Sequence, residues 1–244
     1  MPPLTEEQRH GTQGQSSSLQ QYLGEFVYGG IDGSVTTFAV VAGASGAELS
    51  PSVIIILGFA NLFADGLSMS IGSYLSHQSE KDNYEKHRKV EYWEVEHLPD
   101  EERAEIRDIY RQMGFEGALL DQVTDQITAN RDRWVNVMMK EELGMMEEPR
   151  SSLAIGGATF VSFIVVGLIP LLVYVYDYAT GAVSPHAFLI ASVLTSFAFV
   201  VIGWLKATVT QTSRARAVLE TLVLGGTAAT LAYWVGYFLE KVIQ

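Results

Sequence analysis

The chain has 244 residues, no cysteine and a formal net charge of −12. Without cysteine it forms neither a disulfide framework nor a thiolate metal site. The acidic excess repels phosphates, so we expect no nucleic-acid partner. Apolar residues make up 48% of the chain and are concentrated in two blocks on either side of a charged block. This separation is typical of an integral membrane protein.

Residues 1–21 are polar and rich in Ser, Gln and Gly. They lack the apolar core of a signal peptide, so we predict a disordered cytoplasmic tail. Each later apolar segment has roughly 20 residues, enough to cross about 30 Å of hydrocarbon as a helix. We therefore predict an all-α polytopic membrane protein, with helices one and two in residues 22–76 and helices three to five in residues 151–244. The five predicted spans are residues 24–45, 52–75, 153–176, 187–205 and 217–239.

The placement of Lys and Arg predicts the orientation in the membrane. Of 16 basic residues, 11 lie in residues 77–150 and three more follow the fourth span, whereas the links after spans one and three have none. Basic loops remain in the cytoplasm. We therefore expect the N-terminus and residues 77–150 to be cytoplasmic and the C-terminus to lie outside. In the absence of a vacuolar targeting signal, we expect a prokaryotic plasma membrane, with a vacuolar-type membrane as the alternative for a eukaryotic protein.

Residues 77–150 contain 19 acidic and 11 basic side chains. The second span continues as a helix without Gly or Pro from residue 77 until Pro99. A further helix is expected to begin there, with Asp100 as its N-cap, and residues 119–139 have apolar positions at helical spacing. The block is therefore predicted to be a small antiparallel helical bundle inserted between spans two and three.

The first span contains a carboxylate, Asp32, among Gly29, Gly30 and Gly33. A charged residue at this depth is costly and is a functional hypothesis by default. The three glycines allow close helix contact, and we predict that they form a dimer interface. Alternatively, Asp32 accepts only local hydrogen bonds in a packing segment. Glu25 lies on the same face near the cytoplasmic boundary, where an interfacial role and a pathway role are both open.

In the second span, Asn61, Asp65 and Met69 follow one another at four-residue spacing. That spacing places them on one face of a helix. Oxygen ligands suit Fe²⁺ and Mn²⁺, and the thioether favours transition metals over Ca²⁺ and Mg²⁺. We predict a transition-metal pathway, although a methionine alone is more often a packing residue.

The charged block contains repeated carboxylate spacing. Glu91 and Glu94 are three residues apart, as are Glu102 and Glu105, and these pairs lie on successive predicted helices. Carboxylates that converge from several helices are how helical bundles hold iron. Any single glutamate could instead belong to a solvated face. Glu94 and His97 form one E-x-x-H motif, where a di-iron site needs two.

Three motifs carry a family resemblance: I-D-G-S-V-T in span one, A-D-G-L-S-M-S-I-G-S-Y-L-S in span two, and W-x-x-x-M-M-K-x-E-L-G at residues 134–144. With the order of two spans, an acidic insert and three spans, the chain resembles the vacuolar iron transporter family from Glu25 onward. The resemblance implies a homodimer that exports Fe²⁺ from the cytoplasm in exchange for protons, along a path at the dimer interface. It implies no prosthetic group, since Fe²⁺ is the substrate.

The resemblance also assigns residues. Asp32 and Met69 correspond to path residues within the membrane. Asn61 stands where some members have a carboxylate, and Asp65 where they have a small residue. The metal ligands that it implies in the charged block are Glu91, Glu94, Glu102, Glu105, Met138, Met139 and Glu142.

Two other classes of function remain open. One is a membrane-anchored iron-binding or ferroxidase protein, with the acidic bundle as its reaction site. The other is a membrane adaptor whose acidic bundle binds a partner protein. We expect a transporter and not an enzyme. A ferroxidase would need two E-x-x-H motifs, of which the charged block has one, and an adaptor leaves the carboxylates within the spans unexplained.

Overall fold

The computed structural model describes residues 22–182 and 184–243, so the tail predicted for residues 1–21 lies outside the described residues. The described residues form nine α-helices and contain no strand, and the all-α fold class is confirmed. The helices are α1 (Leu23–Gly46), α2 (Pro51–His97), α3 (Pro99–Gln112), α4 (Gly117–Thr128), α5 (Arg131–Val137), α6 (Ser152–Gly167), α7 (Leu172–Thr180), α8 (Ala187–Thr210) and α9 (Arg214–Ile243), with a π turn at Met138–Glu142 and a 3-10 turn at Ile169–Leu171.

The chain divides into two compact units. An apolar unit comprises the described parts of residues 1–74 and 150–244, and an acidic unit comprises Leu75–Pro149. Five helical stretches are long and apolar enough to cross a membrane: α1, α2, the stretch Ser152–Thr180 that contains α6 and α7, α8 and α9. In α2 the apolar residues precede the acidic unit.

Helix α1 lies at the centre of the apolar unit, where it packs against α6, α8 and α9. Its glycines permit this close packing. A Cβ on Gly33 would lie 2.4 Å from the backbone oxygen of Phe163, and one on Gly29 would lie 2.7 Å from the backbone oxygen of Thr159. Gly30 faces Val166 of α6 and Ile202 of α8. The glycine face is therefore covered within the chain, and the prediction that it forms a dimer interface is wrong.

The third apolar stretch was predicted as one continuous helix over residues 153–176, but it is broken. Helix α6 ends at Gly167, a 3-10 turn follows, and α7 begins at Leu172. Pro170 lies in this turn, because a proline has no backbone N–H and its ring clashes with the preceding helical turn. Leu171, fully buried, follows it and packs in a core with Ile54 and Val41.

The acidic unit has its own apolar core, which contains Val95, Ile106, Trp134 and Val135. Helix α3 begins at Pro99 with Leu98 as its N-cap and no side-chain capping bond, so the prediction that Asp100 is the cap is wrong. Proline at the first helical position already has the φ that the helix requires. Its missing backbone N–H costs nothing there, because an N–H at this position has no partner within the helix.

The helix expected at residues 119–139 is two helices. Helix α4 ends at Thr128, and α5 begins at Arg131 after Asn130, whose side chain accepts a hydrogen bond from the Arg133 amide at 2.9 Å. An asparagine cap satisfies an amide at a helix start that would otherwise have no partner. This local bond stabilises a new helix start where the apolar spacing predicted continuity.

Candidate functional site

The two carboxylates predicted within the spans are neighbours. Asp32 is half-buried on α1, Asp65 is half-buried on α2, and the two carboxylates lie close enough for their charges to interact. Two like charges in a medium of low dielectric constant repel strongly, and a shared cation offsets that repulsion. The structure therefore brings together two residues that the sequence placed on separate helices.

Asn61, Asp65 and Met69 lie along one edge of α2, each half-buried. Between them Leu62 and Gly66 face inward, and Gly66 lies beside the ring of Phe163. The amide nitrogen of Asn61 is buried and has no hydrogen-bond partner. The three predicted path residues thus form a polar edge beside the packed core.

That polar edge borders the surface of the apolar unit. On α1, Tyr28 precedes Asp32 by four residues and is 64% exposed. On α2, Ala64, Ser68 and Gly72 are exposed, and a Cβ on Gly72 would meet no atom within 4 Å. Asp32 and Asp65 therefore lie at the edge of the apolar unit and are not enclosed by its helices.

In the acidic unit, two of the predicted ligands are buried carboxylates. Glu91 on α2 is 4% exposed and Glu102 on α3 is 5% exposed. The Oε2 atom of each is buried and has no hydrogen-bond partner. A buried carboxylate without a partner is costly to ionise, so these atoms mark a place where a positive charge would stabilise the fold.

The same environment raises the pKa of both buried carboxyls. Burial, followed by the charges of Glu105, Glu91, Glu94 and Glu142, raises the pKa of Glu102 to about 8. Burial and the charges of Glu142, Glu94 and Glu105 raise the pKa of Glu91 to about 7. Each of these carboxylates therefore ionises with difficulty near neutral pH, because desolvation and like charges both disfavour the anion.

The remaining carboxylates belong to the same cluster. Partial desolvation raises the pKa of Glu105, with the charges of Glu94 and Glu101 adding to it. The pKa of Glu142 is raised by partial desolvation and then by Glu105 and Glu94. We call Glu91, Glu94, Glu102, Glu105 and Glu142 the acidic cluster. Within residues 22–182 and 184–243, no three His, Asp or Glu side chains converge closely enough to form a ready metal site.

Met138 and Met139 are fully buried in the core of the acidic unit, on the π turn that follows α5. The turn is closed by the Leu143 amide, which donates to the Met138 carbonyl at 3.2 Å. Isolated π turns are frequent at functional sites. As placed, the two thioethers pack as core residues.

In the part of the chain that the structure describes, Glu94 has no second E-x-x-H motif to pair with, and the ring of His97 contacts its own helix. Its ring stacks on Trp93 with centroids 4.6 Å apart, and its Nδ1 lies 2.8 Å from the Trp93 carbonyl oxygen. These contacts agree with a capping role for the histidine at the end of α2.

Glu25, whose role the sequence left open, has a partner that the sequence did not indicate. Arg150 donates to Glu25 from Nη1 to Oε1 at 2.7 Å. The two residues are 125 positions apart, so no local spacing could have indicated the pair.

Comparison with known proteins assigns the family. Residues 23–237 match the model of the VIT family. The vacuolar iron transporter of Toxoplasma gondii is 36% identical over 235 residues, covering 93% of this chain and 78% of that protein. Vacuolar iron transporter 1 of Arabidopsis thaliana is 33% identical over 224 residues, covering 90% of this chain and 85% of that protein. The vacuolar iron transporter of Plasmodium falciparum is 31% identical over 234 residues, covering 91% and 84%. With most of its length matched, this chain belongs to the VIT family.

Proposed function

We propose that the protein moves Fe²⁺ from the cytoplasm across a membrane in exchange for protons. The observation that carries this proposal is the electrostatic proximity of Asp32 and Asp65 on two helices that are apolar enough to span a bilayer. The names of the relatives, vacuolar iron transporters, support iron as the transported ion. Intramembrane ionisable residues commonly mark ion pathways.

The donor set of the polar edge suits a first-row divalent metal. Asp32 and Asp65 supply carboxylate oxygens, Asn61 an amide oxygen and Met69 a thioether. Thioether sulfur discriminates against Ca²⁺ and Mg²⁺, whereas Mn²⁺, Co²⁺ and Zn²⁺ accept the same donors as Fe²⁺. We therefore expect selectivity for transition metals as a class, with Fe²⁺ as the main substrate.

Proton exchange follows from the same carboxylates. A carboxylate must lose its proton to be a good metal ligand, so protons and metal compete for the oxygen lone pairs of Asp32 and Asp65. Each arriving ion releases protons, and each departure into an acidic compartment favours reprotonation. Exchange requires in addition two conformations that open the site to opposite sides in turn.

The acidic cluster is proposed to collect divalent cations before transport. Buried oxygens of Glu91 and Glu102 without hydrogen-bond partners support this role. A bound cation would reduce the mutual repulsion of the cluster and stabilise the folded unit. We expect Glu94, Glu105 and Glu142 to complete the ligand set after side-chain rotation, with the sulfurs of Met138 and Met139 available if the core opens there.

We retain a homodimer in the proposal but place its interface on α2. The exposed residues Ala60, Ala64, Ser68 and Gly72 recur at four-residue spacing beside Asp65. Small residues at this spacing permit close approach of helices in lipid. A partner copy on this face would cover the polar edge and bring two sets of path residues together.

The proposed topology has five membrane crossings, with the acidic unit and the N-terminus in the cytoplasm and the C-terminus outside. The distribution of basic residues supports it, because 11 of 16 lie in residues 77–150 and basic loops remain cytoplasmic. We propose a prokaryotic plasma membrane as the location. The bilayer, divalent metal ions and protons are then the partners of the protein.

The decisive experiment measures Fe²⁺ flux into liposomes that contain the purified protein and a pH-sensitive dye. We expect flux to follow an imposed pH gradient, to vanish in Asp32→Asn, and to persist with weaker metal discrimination in Met69→Ala. The exposed residue Glu48 supplies the control, since Glu48→Gln removes a carboxylate elsewhere. Flux that ignores the gradient, or parental flux in Asp32→Asn, refutes the mechanism. Oxidation of Fe²⁺ without flux would favour the ferroxidase alternative.

A further inference from the structure

One ion pair of the apolar unit joins the start of α1 to Arg150, which lies two residues before α6. Glu25 lies in the first turn of α1, and its Oε1 accepts from Arg150 Nη1 at 2.7 Å. The two side chains are 20% and 30% exposed. The second oxygen of Glu25, Oε2, is buried and has no hydrogen-bond partner. Arg150 thus binds only one of the two carboxylate oxygens of Glu25.

Glu25 also has a defined position relative to Asp32. It precedes Asp32 by seven residues on the same helix. Seven residues are about two helical turns, so the two carboxylates lie on one face, about 10 Å apart along the axis. A cation held at Glu25 would therefore be two turns from the first carboxylate of the proposed path.

Arg150 has the properties of a built-in counter-ion. Its guanidinium keeps its charge at every physiological pH and so never releases Glu25 by deprotonation. Residues 143–151 belong to no helix, so a regular backbone does not fix the position of Arg150. In a largely buried pair of this kind the cost of desolvating both charges offsets much of their attraction, so a divalent ion that binds the same carboxylate can displace the guanidinium.

We propose that Glu25 is a divalent-cation site at the start of α1, and that Arg150 occupies this site as a tethered counter-ion which the arriving metal displaces. This inference rests on the proposed function for the direction of the ion, but the site itself is defined by the ion pair. Arg150 then sets the metal concentration at which the site fills. Removing its charge lowers that concentration, and removing Glu25 abolishes the site.

A second ion-paired carboxylate of the apolar unit provides a matched control. Glu220 on α9 accepts from Lys206 at Oε2, at 3.1 Å, and from Arg216 at Oε1, at 2.9 Å. Both of its oxygens are engaged, unlike those of Glu25. Glu220→Gln therefore removes an ion-paired carboxylate without touching the proposed site.

The first test measures Mn²⁺ uptake by the reconstituted full-length protein. We expect Arg150→Gln to lower the KM for Mn²⁺ about 3- to 10-fold, Arg150→Lys to restore it, and Glu25→Gln to raise it by a similar factor. In the Glu25→Gln background, Arg150→Gln should no longer change the KM. Glu220→Gln should leave the KM unchanged. Additive effects of the two substitutions, or a higher KM in Arg150→Gln, would make the pair purely structural and overturn the proposal.

The second test does not require transport. Because the chain has no cysteine, Pro149→Cys introduces one thiol next to Arg150, at an exposed position. We expect Mn²⁺ to accelerate maleimide labelling of this thiol, and Glu25→Gln to make labelling fast with or without Mn²⁺. Labelling with the same metal response in Glu25→Gln would contradict displacement from Glu25. If the protein carries no flux but labelling responds as expected, the proposed function fails and the site stands.

Discussion

Replacement of the buried Glu102 by glutamine is expected to stabilise the metal-free protein. The folded state raises the pKa of this carboxyl from 4.5 to about 8. Between these two values the folded state binds more protons than the unfolded state, so stability falls as pH rises through this window. Glutamine has nearly the same shape and does not ionise. The advantage of Glu102→Gln should therefore be small near pH 4, grow towards pH 8 and level off above it.

The size of the effect follows from the shift. At pH 7 the difference between the pH and the ordinary pKa of 4.5 corresponds to about 3.4 kcal/mol, at 1.36 kcal/mol per pH unit. The Glu102 side chain shares its charge environment with a partly solvated cluster, so we reduce this by roughly half, to about 1–2 kcal/mol. For a unit of this size, such a gain raises the melting temperature by roughly 4–16 °C.

The assay is thermal unfolding of the full chain in detergent with a metal chelator, followed through tryptophan fluorescence at several pH values. Trp134 is buried in the core of the acidic unit and reports its opening. Glu101→Gln, which neutralises an exposed neighbour on α3, should shift the melting temperature much less. A Glu102→Gln protein that melts at or below the parental temperature at pH 8, or gains equally at pH 4, would refute the reasoning.

Three further predictions concern the apolar unit. Gly33→Ala should reduce the free energy of unfolding by about 1–3 kcal/mol in a thermal melt, because the new Cβ would lie 2.4 Å from the Phe163 backbone oxygen; an unchanged melt would mean that α1 and α6 separate easily. Gly72→Leu should lower the dimer fraction measured by cross-linking. Gly157→Leu, at an equally open glycine, should leave it unchanged. The same dimer fraction in both variants would count against the α2 interface. Asp177→Asn should reduce the free energy of unfolding by about 1–3 kcal/mol, because this carboxylate is 8% exposed and accepts two hydrogen bonds from the loop after α7. Chemical denaturation measures this loss. A loss below about 0.5 kcal/mol, which is typical of a surface substitution, would contradict the prediction.

The helices were predictable because apolar length and helix-breaking residues are local signals. The end of α2 before Pro99 followed from such a signal. The break at Pro170 was missed, since a run of apolar residues gives the same hydropathy whether or not it contains a turn. The glycines near Gly33 correctly indicated close packing, but a pattern on one helix does not identify the partner helix, which is α6 of the same chain.

The candidate site likewise has a part that the sequence predicted and a part that it did not. Four-residue spacing placed Asp65 and Met69 on one edge of α2, and the structure has them there. The proximity of Asp32 to Asp65, and that of Glu25 to Arg150, depends on how separate helices pack. Contacts between distant positions are set by the whole core, so no spacing within one segment could have predicted them.

The π turn at Met138–Glu142 has a consequence for the length of the chain at this point. Its backbone bond from Leu143 to Met138 spans five residues instead of four, so the turn holds one residue more than an α-helical turn. Deleting Lys140 would allow a regular α-helix and would rotate every later side chain of the turn by about 100° relative to the buried methionines. Glu142 would then leave the acidic cluster although its residue type is unchanged. The exposed loops of the chain tolerate insertions and deletions, but in this turn a one-residue deletion acts like the loss of a carboxylate.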